Sequence, residues 1–174
     1  MPIKENIFQK YPNDYFFESG SHVGEGIQKA LDAGFEKIIS VELSPYYYNV
    51  CTTKFKNNPK VDLYLGDTED LLGKIISKIN FPITFWLDGH NSGGYTAWGK
   101  HECPLMQELE IIKTHPIKNH TLIIDDLRCW EKPHYEFDKQ DIIDFVKTIN
   151  PNYTIEYADG HIENDILIAY IKNN

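Results

Sequence analysis

Basic residues are scarce in this chain. Seventeen lysines and arginines face 26 aspartates and glutamates, a formal net charge of -9. No basic stripe offsets the deficit, which argues against a phosphate-backbone partner. A small neutral or cationic ligand fits that balance better. Cysteine is sparse as well. Cys51, Cys103 and Cys129 are an odd set without C-x-x-C spacing, which argues against a disulfide framework and a zinc knuckle. No apolar run approaches the roughly 18 residues of a membrane span. The start, Met1-Pro2-Ile3-Lys4-Glu5-Asn6, is polar and shows no apolar signal region. The expectation is therefore a cytoplasmic protein with neither nucleic acid nor membrane as partner. Its partner is a small acceptor molecule, and a homodimer is the assembly to test.

What is present is ordinary globular material. The 174 residues are 41% hydrophobic and 25% charged, and one domain spans 1–174. Repeats and low-complexity stretches are missing. Strand-like and helix-like segments alternate instead. Tyr15 to Phe17 reads as a strand ending in Glu18-Ser19-Gly20. Gly24 to Ala33 reads as a helix, with Gly34 at its C-cap. Lys37 to Leu43 is a second strand, and Pro45 opens the next helix. In the run Tyr46-Tyr47-Tyr48 one tyrosine is expected to be buried. Val61 to Leu65 is a third strand, and Thr68 is the expected cap of a helix carrying Leu72, Ile75, Ile76 and Ile79. Pro82 to Leu87 is a strand with a continuous apolar run and His120 to Ile124 is one that is fully apolar at its centre, as in a sheet covered on both faces. Pro104 to Lys113 and Asp138 to Ile149 are helical. Tyr153 to Tyr157 and Asp165 to Ile171 form a closing antiparallel hairpin.

Such alternation specifies an α/β fold: a doubly wound, mostly parallel, Rossmann-like sheet of seven strands with a C-terminal antiparallel hairpin. Ligands in such sheets bind beyond the carboxyl ends of the strands. Here those ends are Glu18, Glu42, Asp67, Asp88 and Asp125-Asp126, all acidic. One acid at a strand end is often a turn former or a cap. Five successive strands ending this way are harder to assign to turns alone. The first turn reads Glu18-Ser-Gly20-Ser21-His22-Val-Gly24-Glu-Gly26. Glycine after a strand lets the backbone turn tightly and approach a ligand. Glu42 follows about 20 residues on, where a carboxylate can hold both ribose hydroxyls. Asp67 is placed to take an exocyclic amine, so the set describes an adenosine-shaped ligand.

These residues carry a resemblance. E-x-G-x-x-x-G-x-G, then Val41-Glu42-Leu43-Ser44-Pro45, then Gly66-Asp67-Thr68-Glu69-Asp70 resemble the S-adenosylmethionine site of class I methyltransferases. The resemblance runs from about Tyr15 to Ile171. It implies that Glu18, Gly20, Ser21 and Gly24 border the methionine part. It implies that Glu42 and Leu43 hold the ribose end, that Asp67 and Thr68 sit at the adenine, and that Asp88 borders the cofactor. The second half, Asp88-Gly89-His90 and Asp125-Asp126, is similar to metal-dependent O-methyltransferases of the macrocin O-methyltransferase and FkbM-like type. That similarity implies Mg²⁺ on Asp88, Asp125 and Asp126. Where the family has D-x-D-x-Y, this chain has His90, a candidate general base beside Asp88. Asp125 or Asp126 could instead pair with Arg128.

Trp86 and Trp130 read as core or rim aromatics, and Cys51 and Cys103 as buried or half-buried thiols. His115, His120 and His134 read as surface or loop residues. Three functions remain open on the sequence alone. The first is an S-adenosylmethionine-dependent O-methyltransferase for a sugar or polyol. The second is a non-catalytic binding module of the same fold, which the short stretch before the first strand favours. The third is a nucleotide-dependent oxidoreductase, against which the missing G-x-G-x-x-G spacing argues.

Overall fold

The computed structural model describes residues 7–89, 97–130 and 135–172. The chain runs β1 (Tyr15–Ser19), α1 (Glu25–Ala33), β2 (Lys37–Glu42), α2 (Pro45–Phe55), β3 (Val61–Leu65), α3 (Thr68–Ile76) and β4 (Ile83–Leu87). It continues with α4 (Leu105–Thr114), β5 (Thr121–Ile124), α5 (Lys139–Ile149), β6 (Thr154–Ala158) and β7 (Ile166–Tyr170). All seven strands join one sheet in the order β3-β2-β1-β4-β5-β7-β6. The first five are parallel, and β7 pairs antiparallel with both β5 and β6. This is the expected doubly wound sheet with its closing hairpin.

Successive strand residues point to opposite faces, and the strands feed two cores. Phe17, Val41, Phe85, Leu122 and Ile124 face Leu72 and Ile76 of α3, Leu109 of α4 and Val146 of α5. Phe16, Ile38, Trp86 and Ile123 face Ile27 of α1, Phe55 of α2 and Phe8. Burying one such side chain contributes about 1.5–3 kcal/mol. Trp86 and Trp130 belong to these cores, and Cys51 and Cys103 are buried thiols.

Helix ends follow local chemistry. Gly34 caps α1 in the left-handed region at φ 93°, where other residues are strained. Asp138 caps α5 and shares a capping box with Asp141. At α3 the cap is Asp67, not Thr68: the Asp67 side chain accepts from Glu69 N, and Thr68 is the first helical residue. Both are good caps, and Asp67 stands one residue closer to the strand end. Two further expectations are corrected. None of Tyr46, Tyr47 and Tyr48 is buried, because α2 turns its Cys51 and Phe55 inward instead. His115 and His120 are both buried. They hydrogen-bond each other at 3.0 Å, which satisfies their polar ring atoms without water. His90 and His134 lie outside the described residues.

The sheet order reverses between β1 and β4. From β1 the chain winds outward to β3, then returns to start β4 on the other side. The crevice at the carboxyl ends of these two strands is where an open α/β sheet receives its ligand.

Candidate functional site

A cavity of about 300 Å³ opens at this crevice. It is lined by Glu18, Gly20, Ser21, Glu42, Leu43, Asp67, Thr68, Asp88, Asp125 and Asp126, so one hollow gathers residues from five strand ends. Gly20 sits at the point of reversal with φ +84°, and a Cβ there would lie 2.8 Å from the Asp88 carbonyl oxygen. Only glycine admits this close approach of β1 to β4. Gly24 differs from its expected place. It does not line the cavity, and a Cβ on it would meet the Phe55 ring at 2.5 Å and Cys51 Sγ at 3.2 Å. It serves the packing of the first turn on α2.

Glu18 and Ser40 are paired in register on β1 and β2. Ser40 Oγ donates to Glu18 Oε2 at 2.6 Å, and Ser21 Oγ lies 2.5 Å from Ser40 Oγ. Glu18 is buried. Burial raises its pKa to about 8, Ser40 opposes the shift, and the charge of Glu42 adds to it. Glu42 is held by two backbone amides: His22 N donates to Oε2 at 2.8 Å and Ser44 N to Oε1 at 2.7 Å. These bonds fix the carboxylate at the lip of the cavity. Asp67 accepts from Glu69 N on one oxygen and from Lys100 N, at 3.1 Å, on the other.

The acidic residues of β4 and β5 form the second half. Ligand atoms of Asp88, Asp125 and Asp126 all lie within 4.8 Å of one another. Neighbouring residues of an extended strand would point to opposite faces. Asp126 avoids this by taking a left-handed conformation at φ 62°, uncommon for a residue other than glycine but open to aspartate. Asp125 holds the turn, accepting from Asp126 N at 2.8 Å. Burial, then the charges of Asp125, Asp126 and Glu18, pushes the pKa of Asp88 well above the carboxylate range. Burial and then Asp126 raise Asp125 to about 7. Arg128 is paired with Asp126 and with Asp165. The expected Arg128 pairing is therefore present beside the cluster, not in place of it.

Clustered carboxyls of this kind hold protons until a cation replaces them. All the donors are hard oxygens, which suits a divalent cation such as Mg²⁺. The donor set thus fits the metal.

Sequence reasoning did not single out Ser40, Arg128 or His161 for the site. Ser40 precedes Glu42 by two residues on β2, so strand periodicity alone places both on one face. Arg128 and His161 come together only through Asp165, which accepts from Arg128 N at 3.0 Å and His161 N at 2.9 Å. No sequence spacing signals that contact.

No family model and no curated protein matches this chain in sequence. Solved structures do match. Human methyltransferase-like protein 13 in complex with S-adenosylhomocysteine is 16% identical. The match covers 95% of this chain and 75% of that one, with a TM-score of 0.61. A Streptococcus mutans protein assigned as a methyltransferase, also in complex with S-adenosylhomocysteine, is 15% identical over 91% and 89% of the chains, with a TM-score of 0.59. A Staphylococcus aureus protein assigned as a caffeoyl-CoA O-methyltransferase is 11% identical over 91% and 76%, with a TM-score of 0.56. The chain has the class I methyltransferase fold. Within that fold, the cavity of this chain lies at the crevice between β1 and β4. Among the described residues no helix is long and apolar enough to cross a membrane.

Proposed function

We propose that this protein is an S-adenosylmethionine-dependent methyltransferase that methylates a hydroxyl of a small acceptor, such as a sugar or polyol, with a divalent cation on Asp88, Asp125 and Asp126. The observation that carries the reading is the meeting of that acidic cluster with the Gly20 turn in one cavity. S-adenosylmethionine would supply an electrophilic methyl group on a sulfonium. A cation on the cluster would polarise and position the acceptor oxygens.

The chain's own residues do the rest. Glu42, fixed by its two amides, presents its carboxylate for a ribose. Gly20 lets the end of β1 close against Asp88, which brings the first turn and the acidic cluster into one cavity. Glu18 and Asp88, held protonated by burial, would ionise beside a cationic sulfonium, because a nearby positive charge favours the carboxylate. The acceptor hydroxyl must lose its proton as its oxygen bonds to carbon. A cation on the cluster would lower that hydroxyl's pKa, and the candidate base is His90, which lies outside the described residues.

Calorimetry with S-adenosylhomocysteine tests the first half. Wild type should bind in the micromolar range, and Glu42→Ala should weaken binding by about 1.5–3 kcal/mol, the range for hydrogen bonds to a charged group. A folded wild type that does not bind would overturn the reading. For the second half, Mg²⁺ or Mn²⁺ should raise the melting temperature of wild type. It should not do so for Asp125→Asn with Asp126→Asn. Release of S-adenosylhomocysteine on a panel of polyols, with and without Mg²⁺, then separates an enzyme from a binding module.

A further inference from the structure

The segment 97–102 follows β4 in the chain, yet it is seated on α3. In the sheet, β3 is three strands away from β4, about 14 Å at the usual spacing. The segment therefore spans the crevice. Three contacts tie it to the first turn of α3. Lys100 N donates to Asp67 Oδ2 at 3.1 Å, the Lys100 ammonium pairs with Asp70, and His101 Nδ1 lies 2.8 Å from Glu69 Oε1. The Glu69 side chain is only 11% exposed, so this end of the seat is sheltered.

Ala97, Gly99, His101 and Glu102 line the cavity, while Trp98 is 71% exposed. A Cβ on Gly99 would lie 3.0 Å from Asp67 Oδ2 and 3.4 Å from Leu43 Cδ2. The segment therefore lies directly against the residues that border the cavity at the ends of β2 and β3. Gly99 is a glycine here because of that approach, not because of its backbone angles.

We propose that residues 97–102 form the outer wall of the nucleobase end of the cavity, and that Glu69 and Asp70 are positioning residues that set cofactor affinity by seating this wall. The proposal rests on the cofactor reading above. The Lys100–Asp70 pair is exposed on both sides and the His101–Glu69 pair on one, and each is weak alone. All three contacts act on one short segment, so they order it before the ligand arrives. Ordering in advance removes an entropic cost from binding. Neither acid needs to touch the ligand for this effect.

The experiment measures S-adenosylhomocysteine affinity by calorimetry, with tryptophan emission as a monitor of the wall. Trp86 and Trp130 are buried, so Trp98 is the exposed reporter, and Trp98→Phe gives the background. Asp70→Lys should weaken binding about five- to tenfold and shift the Trp98 emission, as expected when an exposed pair becomes a repulsion. The exchange Asp70→Lys with Lys100→Asp should restore both to within about twofold, since the pair is re-formed with opposite sign. Gly99→Val should weaken binding more than tenfold at unchanged melting temperature. Three results overturn the proposal. They are wild-type affinity in Asp70→Lys, a loss that the exchange does not restore, and wild-type affinity in Gly99→Val. A wild type that binds no S-adenosylhomocysteine is a separate outcome: it overturns the cofactor reading, and the wall falls with it.

Discussion

The two edges of this sheet bury polar groups in opposite ways. At the amino edge, His115 and His120 are fully enclosed and fully bonded. His120 Nδ1 accepts from Ile83 N at 3.0 Å, and its Nε2 faces His115 Nδ1. His115 Nε2 in turn meets the Ile76 and Ile79 carbonyls at 3.0 and 3.1 Å. One assignment of protons satisfies every contact: both rings neutral, each carrying hydrogen on Nε2. At the carboxyl edge, Glu18, Asp88 and Asp125 are carboxyls packed together and held above their ordinary range. The amino edge is chemically closed. The carboxyl edge carries acidity that a cationic ligand or a metal would relieve. Burial alone does not mark a functional site; burial with unrelieved like charge does.

The largest test removes the closed edge. His120→Ala leaves the Ile83 amide without its acceptor, leaves His115 Nδ1 only the Ile117 amide at 3.3 Å, and opens a cavity beside Phe85. The orphaned amide costs about 1–3 kcal/mol and the lost packing adds to it, so the expected loss is about 3–5 kcal/mol. Urea unfolding measures it. The ligand cavity lies at the other edge, so S-adenosylhomocysteine affinity of the folded variant should stay close to wild type. A variant as stable as wild type would mean that the imidazole pair is not a structural element.

The next test acts on the other edge and should have the opposite sign. Glu18 is protonated in the fold up to about pH 8 but ionises near 4.5 when unfolded. Its folded pKa is raised, so the fold binds the extra proton. Stability from this group is greatest below pH 4.5 and falls as pH rises toward 8. Glu18→Gln removes that slope. One proton held by the fold and not by the unfolded chain changes stability by about 1.4 kcal/mol for each pH step of one. Relative to wild type, the variant should therefore gain about 3 kcal/mol between pH 5 and pH 8. It should also bind the cationic S-adenosylmethionine less well, relative to S-adenosylhomocysteine, than wild type does. Parallel pH slopes in the two proteins would show that Glu18 is not held neutral.

The contrast also explains what could be read in advance. The carboxyl edge was legible because strands announce themselves by β-branched and aromatic runs, and their last residues are acidic. Phe85-Trp86-Leu87-Asp88 and Leu122-Ile123-Ile124-Asp125 are continuous in sequence, so each strand and the acid at its end were legible together. The amino edge was opaque. His115 ends α4 and His120 starts β5, and their partners Ile76, Ile79 and Ile83 belong to other elements. Isolated histidines in polar surroundings such as Lys113-Thr114-His115 look exposed until tertiary contacts are known. The seat of the 97–102 wall was hidden for the same reason. Its pairs join residues 30 and 32 apart in the chain. Gly24 misled in a subtler way: it stands in a ligand-binding pattern, but its missing side chain makes room for Phe55.

The smallest test asks whether the two edges titrate against each other. His120 is neutral in the fold because burial, and then the neighbouring His115, drive its pKa down to about 3 from 6.5. Here the unfolded chain binds the extra proton, so stability is full above pH 6.5 and is lost as pH falls toward 3. Between pH 6.5 and 4.5 the expected loss from His120 alone is about 2 kcal/mol. Glu18 gains a similar amount over the same window, so wild type should show little net slope from this pair of groups. Glu18→Gln uncovers the acid limb, and Glu18→Gln with His120→Phe abolishes it again. The difference between these two variants isolates the imidazole, because Glu108, held near pH 7 by burial, and the Asp88 and Asp125 carboxyls titrate equally in both. Urea unfolding at pH 6.5 and pH 4.5 gives that difference directly. A difference that does not change with pH would mean that His120 can accept a proton inside the fold, and the amino edge would not be closed in the sense argued above.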